Sequence, residues 1–559
     1  MKIQRGGKAK AGPSAESAEK SSPHCSQRGA SARNPANSLP APQRGRHPHN
    51  PAIIGDGAGN VLRAKALCSE GDTQLWSTWS PTVRIQFWGT RGSIATPAPN
   101  TRRYGGNTSC VEVRSARGTL VVIDCGTGGR SLAQKLMADS GGRRGTILIS
   151  HTHWDHIQGL PFFDPLYVPG NEWDVYGPKG LDESVREALA GQMDYTYFPV
   201  SLDQCAANIH YHDLVEGSFT IEDISVSARY MNHTALTLGY RLQVDGVTLV
   251  YACDHEPYSR MLGLGEGRIA GEDLHHAEFI RGADLLIHDA QYTAQEYATK
   301  IGWGHSPVEY VVKVAEQARV KRVALTHHDP RRDDDAIERL VTSVRQTTPV
   351  DIFAACEGQV VELKGRPPIE AVATRGKSAE IPAEQKLASP VVLLTIANPR
   401  VSAAVSEALR AEGILGRQLG NIDPASLSIV KDRPALAIIE HDPPRLDGIG
   451  LCRALRRHGP ARPLPVLLVA EHEDADVGTA AGVSGWLIKP FTTAHARTKV
   501  RTWLLRSAAP RNIKGRTPVD EIRPLSPLRL VHTAANRGAD RIEELVGILG
   551  KAGETAQPG

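Results

Sequence analysis

Short β-branched apolar runs recur from about Thr82 onward, each broken by glycine, asparagine or aspartate. VRIQFWGTRGS, TLVVIDCGTGG, TILISHTHWDHIQGL, VTLVYACD and VALTHHDP each end on polar or titratable residues, the pattern of buried strands that stop at a lip. WGHSPVEYVVKVAEQ, by contrast, carries the period of an amphipathic helix. This patterning predicts one domain over 82–364. A polar stretch follows, GRPPIEAVATRGKSAEIPAEQK, which reads as a linker over 365–389. Then VVLLTIANPR, PALAIIEHDPPRLDGIGLCRALRR, PLPVLLVAE and GWLIKPF alternate strands with helical patterns, predicting a parallel α/β sheet over 390–506. Residues 1–81 are rich in Ser, Ala, Pro, Gly and basic side chains and are expected to be disordered, because they bury too little apolar surface to offset ordering entropy. Residues 507–559 form a tail that ends in one short amphipathic pattern, ADRIEELVGILGKAG.

Composition narrows the class. A chain of 559 residues has room for two to four domains. No apolar stretch is long enough to span a bilayer, and MKIQRGGKAKAG is basic without a following apolar segment, so a cytoplasmic protein is expected. Its 8 cysteines include no C-x-x-C pair, which argues against a disulfide framework or a zinc ribbon. Cys253 is expected to be a buried thiol. The net charge of +4 implies no partner by itself.

Candidate chemistry gathers at strand ends. His151, His153, Asp155 and His156 follow the apolar run Ile147–Ile149, a donor mix that zinc prefers, with Zn–N distances of about 2.0–2.1 Å. Alternation lets His151 and His153 face one way while the turn brings Asp155 and His156 toward a second metal. Further along, His233 precedes a strand, Asp254 closes VTLVYACD, and His327 and His328 close VALTHHDP. A carboxylate at Asp254 can bridge two metals more readily than a neutral imidazole.

His151-x-His153-x-Asp155-His156 resembles the H-x-H-x-D-H signature of the metallo-β-lactamase superfamily. The resemblance covers about Val83–Leu363 and implies an αββα sandwich holding two zinc ions, with Mn²⁺ or Fe as alternatives. It implies His151, His153 and His233 on one ion, Asp155, His156 and His327 on the other, and Asp254 between them. It favours His327 over His328 and gives Asp124 the role of holding a histidine ligand in its tautomer. DLLIHDAQY (His288, Asp289) and WGHSPVEY (His305) resemble the matching segments of the ribonuclease Z-like branch, which also holds cyclic-nucleotide phosphodiesterases. There the acidic residue and the histidine form a proton relay, although Asp289 stands here for Glu and Pro307 for Thr.

The second domain resembles a response-regulator receiver, of the doubly wound flavodoxin-like type, through Pro444, Asp447, Gly448 and Lys489-Pro490. Its phosphorylation chemistry is absent. Ile396 and Ala397 stand where acidic residues would hold Mg²⁺, Glu440 replaces the phosphoacceptor and Ala470 the switch hydroxyl, leaving Lys489 alone. A docking or dimerisation module is expected, reaching a second copy or a protein partner.

The expected activity is hydrolysis of a small or cyclic-nucleotide phosphodiester, with Asp155 in the metal loop and His305, oriented by Asp289, protonating the leaving alkoxide. The segment Ile157–Tyr230 holds three basic residues (Lys179, Arg186, Arg229) against twelve Asp and Glu, the wrong sign for a long nucleic acid. Its aromatics Phe162, Phe163, Tyr167, Trp173, Tyr195, Tyr197 and Phe198 are expected mainly in the core, with some free to stack a base. A lactone, thioester or β-lactam hydrolase, or an adaptor acting through the second domain, are the alternatives.

Overall fold

The computed structural model describes residues 81–139, 142–181, 183–365, 390–419, 434–458 and 464–508, all within one compact unit, Gly71–Gly559. The predicted N-terminal disorder, the linker but for Gly365, and the tail beyond Ala508 lie outside the described residues.

Thr82–Gly89 (β1), Cys110–Arg114 (β2), Leu120–Ile123 (β3), Arg144–Leu148 (β4), Glu172–Pro178 (β5) and Asn208–Leu214 (β6) build a first sheet. A second sheet follows: Gly217–Ile221 (β7), Ile224–Tyr230 (β8), Leu238–Val244 (β9), Val247–Ala252 (β10), Leu285–Asp289 (β11), Arg322–Thr326 (β12) and Asp351–Ala354 (β13). Val360–Lys364 (β14) then returns to the first sheet, antiparallel to β1 with Val83 opposite Leu363.

The two sheets bury their facing sides together. Ile85, Phe87, Val113 and Ile123 from one pack in a common core with Val226, Tyr240, Leu242 and Leu249 from the other. On β8 and β9 the inward positions alternate, and register places Val226 opposite Leu242 and Ala228 opposite Tyr240 on the same face. Helices cover the outer faces. Gly128–Ala138 and Val185–Gln192 lie on the first sheet, while Gly271–Phe279, Val308–Gln317 and Asp334–Arg345 lie on the second. β3 and β12 are therefore buried almost throughout and read as unbroken apolar runs. The result is the four-layer αββα sandwich expected from the sequence.

Topology also fixes where chemistry can gather. β3 and β4 run parallel, as do β10, β11 and β12, so the carboxyl ends of each set emerge along one edge. Asp124, His151, Asp254, Asp289 and His327 all sit at or just beyond those ends.

The third sheet comprises Val391–Thr395 (β15), Leu415–Gln418 (β16), Leu436–Glu440 (β17), Val466–Ala470 (β18) and Gly485–Ile488 (β19). It is parallel throughout, in the order β16-β15-β17-β18-β19, the 2-1-3-4-5 order of flavodoxin-like folds. Apolar cores cover both of its faces. Its closing helix runs from Thr493 to Ala508, two residues past the expected boundary at 506. This helix docks on the sandwich: Leu505 enters the core between the two sheets, and Arg506 reaches Glu216 at 2.7 and 3.0 Å.

At the end of β17, Glu440 is fully buried. Its carboxylate accepts from the amides of Ala397 and Asn398, each at 2.8 Å, and from Lys489 Nζ at 2.9 Å. Burial opposes ionisation, but Lys489 and the two amides outweigh it and hold the carboxyl below its ordinary value of 4.5. A depressed folded pKa gives stability that is complete above the unfolded value and lost as pH falls through the folded one. Glu440→Gln is therefore expected to cost about 1–3 kcal/mol at pH 7, because Lys489 loses its buried partner and keeps only the exposed Glu471 at 3.2 Å. Urea unfolding followed by tryptophan fluorescence should show the gap to wild type narrowing below pH 4.5; an equal gap at pH 4 and pH 7 would sink this account.

Candidate metal centre

The loop after β4 brings the ligand-type side chains together, and the ends of the second sheet complete the set. His151, His153, His233 and Asp254 form one group, and Asp155, His156, Asp254 and His327 a second, with all donor atoms of each group within 4.8 Å of one another. Asp254 belongs to both. Its Oδ2 lies 3.5 Å from His151 Nε2 and 3.5 Å from His233 Nε2, while its Oδ1 lies 3.3 Å from His156 Nε2 and 3.2 Å from His327 Nε2. One carboxylate thus turns one oxygen to each group.

The tautomers follow from the hydrogen bonds on the far side of each ring. Asp124 accepts from His156 Nδ1 at 2.7 Å, from Ser150 N at 2.6 Å and Oγ at 2.8 Å, and from the Tyr251 hydroxyl at 2.7 Å. His233 Nδ1 donates to the Gly304 carbonyl at 2.8 Å. Both bonds leave Nε2 aimed into the site. Burial, the largest influence, drives the pKa of His151 well below the ordinary histidine value and that of His233 down to about 3, so both present neutral imidazoles. His156 differs. Burial works against its protonation, but Asp155, Asp254 and Asp124 outweigh it and hold its pKa well above the ordinary value, so its Nε2 becomes a donor lone pair only when a cation displaces the proton.

These residues fit a pair of divalent ions. His151 Nε2 and His156 Nε2 are buried without a hydrogen-bond partner, although carboxylate oxygens lie 3.3–3.5 Å away. A buried polar atom left unsatisfied in this way is costly, and a shared cation removes the cost. Three imidazole or carboxylate donors per position, with a carboxylate common to both, is the donor chemistry of binuclear sites.

The two adjacent histidines point to different places. His327 faces the group, whereas His328 turns away, with Nε2 bonded to the Ala355 carbonyl at 2.9 Å and its ring against Tyr104. His305 is buried, its Nδ1 3.4 Å from Asp289 Oδ2 and 4.0 Å from Asp254 Oδ2, without the alignment of a formed hydrogen bond to either. Asp289 is anchored by the amides of His255 at 3.2 Å and Ser306 at 3.0 Å. Glu440 and Lys489 pair in the third sheet, apart from this centre. Cys253 is fully buried, as expected.

A cleft of about 470 Å³ opens on the centre, lined by Ser93, Thr152, His153, Trp154, Asp155, Asp254 and His305. Sequence reasoning missed Ser93, whose amide donates to Asp155 Oδ2 at 2.7 Å, and Trp154, which is 72% exposed at the cleft mouth. Trp154 sits inside the ligand motif and could have been singled out as an aromatic that no core position claims. The aromatics that were singled out lie elsewhere: Phe163 and Trp173 pack in the core, and Tyr195 and Tyr197 are exposed away from the cleft lining.

Two facing sheets with a paired His/Asp centre at their common edge define a binuclear metal-dependent hydrolase. Residues 119–328 match the β-lactamase superfamily domain model. Among curated proteins, the ribonuclease Z of Brevibacillus brevis is 25% identical over 308 residues, 47% of this chain and 93% of that protein. Among solved structures, a diphosphatase from the PhnP family is 18% identical with a TM-score of 0.37, over 51% of this chain and 98% of that one. A putative response regulator from Chloroflexus aurantiacus is 26% identical with a TM-score of 0.19, over 21% of this chain and 98% of that one. Residues 119–328 thus form a β-lactamase superfamily domain similar to the ribonuclease Z relatives, and the parallel sheet that follows has the strand order of a receiver-like module.

Two substitutions should strike different halves of the centre. Asp124→Ala removes the partner of His156 and is expected to weaken one ion 10- to 100-fold. At Gly304, φ is +89° and an added Cβ would stand 2.3 Å from His233 Nδ1, so Gly304→Ala should weaken the other ion. Zinc titration against a chelator, read with the six ligands other than the shared Asp254 varied one at a time, should assign the two losses to different groups. Loss of the same ion in both variants would contradict the division.

Proposed function

We propose that the protein hydrolyses a phosphodiester of small or cyclic-nucleotide type at this centre. The observation that carries the reading is Asp254, which turns one carboxylate oxygen to each of two ligand groups beside a buried histidine, His305. His151, His153 and His233 would hold one ion and Asp155, His156 and His327 the other. When bound, such a pair supplies Lewis acidity and a water of lowered pKa.

The chain's own groups provide the rest. Asp124 and the Gly304 carbonyl keep His156 and His233 in the ligand tautomer. Asp155 is steadied by the Ser93 amide. Nδ1 of His305 faces Asp289 and Asp254, which leaves Nε2 to give a proton to the departing alkoxide oxygen. Asp289, fixed by two backbone amides, stabilises the imidazolium that precedes this transfer. Trp154 offers a flat, exposed face on which a base can stack.

Size and charge support a small substrate. The cleft of about 470 Å³ lies within the range of roughly 300–1,000 Å³ typical of small-molecule sites. The segment Ile157–Tyr230, with three basic and twelve acidic residues, repels an extended polyanion. The name ribonuclease of the curated relative supports chemistry at a phosphodiester rather than at a lactone or thioester. The receiver-like module takes no part in phosphotransfer in this reading, because Glu440 is already neutralised by Lys489.

Zinc-loaded protein should hydrolyse bis(p-nitrophenyl) phosphate. His305→Ala should keep both metals and lose about 10²- to 10⁴-fold in kcat, the range for a general acid. Inert wild type with two metals per chain would defeat the reaction class, and lactone and thioester substrates would then be tested.

A further inference from the structure

A second cavity, of about 240 Å³, lies in the seam between the hydrolase and the receiver-like module. Tyr258, Trp486 and Phe491 give it aromatic walls, and Arg260 and Lys499 are its cations. The hydrolytic mechanism uses none of these residues. Arg260 is committed, because its guanidinium donates to the carbonyls of Ile488 at 2.8 Å, Pro490 at 2.6 Å and Lys489. Glu256, on the hydrolase side, accepts from the Tyr297 hydroxyl and the amides of Gly302 and Gly304, each at 2.7 Å.

Lys499 makes no direct ion pair. Its ammonium lies over the Tyr258 ring, 4.5 Å from the centroid, and among the described residues it has no carboxylate at ion-pair distance. Burial pulls its pKa down to about 8. Glu272, whose pKa is held down to about 2, is the acid that acts on it most strongly from beyond ion-pair distance, with Asp273 further off, while burial pushes Glu473 up to about 8. A cation held over a ring with no carboxylate in direct contact is matched by an anion that itself carries a ring. The volume is below the roughly 300–1,000 Å³ of ordinary ligand sites, which fits one ring with one anionic group rather than a whole nucleotide.

We propose that this cavity is an effector site for a monocyclic aromatic anion, with Lys499 as its counter-charge. Its route to the metal centre is short. Asn232 Nδ2 donates to the Glu256 carbonyl at 2.9 Å, Glu256 holds Gly302 and Gly304, and the Gly304 carbonyl holds His233 Nδ1. Anything that presses on the Glu256 segment therefore acts on the tautomer and position of His233.

The test uses the full chain without metal, titrated calorimetrically with benzoate and phenyl phosphate. Both should bind saturably and at least tenfold more tightly than acetate or benzyl alcohol, which lack the ring or the charge. Lys499→Gln should weaken them at least tenfold. Thr492→Asp provides a variant whose fold is safe, because the exposed Thr492 hydroxyl accepts from the His495 amide and aspartate preserves that cap while adding negative charge at the rim; it should weaken both probes severalfold. Saturating benzoate should also change zinc affinity at least threefold in wild type and not in Lys499→Gln, as linkage requires. Benzoate binding no tighter than benzyl alcohol, or indifferent to both substitutions, overturns the site. Binding that leaves zinc affinity unchanged overturns the effector role. Neither readout depends on turnover, so the phosphodiesterase reading stands or falls separately.

Discussion

The hydrolase depends on one carboxylate divided between two sets of imidazoles. Asp254 is almost wholly buried, and four histidine nitrogens surround it at 3.2–3.5 Å. An ionised group in that position is tolerated only where compensating charge is held rigidly around it. The backbone accepts strain to achieve this. Asp124, Asp254 and His327, each just past a strand end, all take φ near +57 to +58°, a left-handed conformation that costs of order 1–3 kcal/mol at a non-glycine residue. Each turn reverses the side chain at the sheet edge, so that it points along the lip instead of following its strand. Strands that are buried on both faces provide the stiffness that keeps three such turns in register.

This explains which parts of the site were legible in the sequence. The ligand residues were legible because strand ends announce themselves: an apolar run stops, and a histidine or aspartate follows. The spacing of His151, His153, Asp155 and His156 even carries the division into two groups. The αββα class came from the resemblance carried by His151-x-His153-x-Asp155-His156, while the apolar runs by themselves marked only where buried strands lie. Ser93 was not legible, because it contributes its backbone amide, and any residue carries an amide. Trp154 was legible only as an aromatic inside the ligand motif; that it stands exposed at the cleft mouth rather than packing came from the structure. The resemblance already favoured His327 over His328, and the left-handed turn at His327 gives the physical reason, sending consecutive side chains to opposite sides.

In the receiver-like module the sequence showed what was lost but not what replaced it. Ile396 and Ala397 remove the acidic side chains, yet the backbone there remains useful: the Ala397 and Asn398 amides and Lys489 enclose Glu440 completely. A carboxylate satisfied on all sides by its own chain has no need of Mg²⁺ and offers nothing to a phosphoryl donor. The pair is a fixed structural element. Lys489 makes it more than local, because its side chain holds Glu440 while its carbonyl receives Arg260 from the hydrolase.

The seam between the two modules is accordingly built from both of their interiors. Leu505 packs into the core between the two sandwich sheets, and Leu181 of the hydrolase packs against the core of the parallel sheet. Thr498 donates to the carbonyl of Thr234, the residue after the ligand His233, at 2.7 Å. A module joined only by a tether would exchange no core residues and would touch no residue adjacent to a ligand. Here the helix Thr493–Ala508 does both, so the loop that carries His233 is supported from the receiver-like side as well as from the sandwich. The orientation of that ligand is a property of the two modules together, and a change in how they meet must reach it through Thr234 and Glu256.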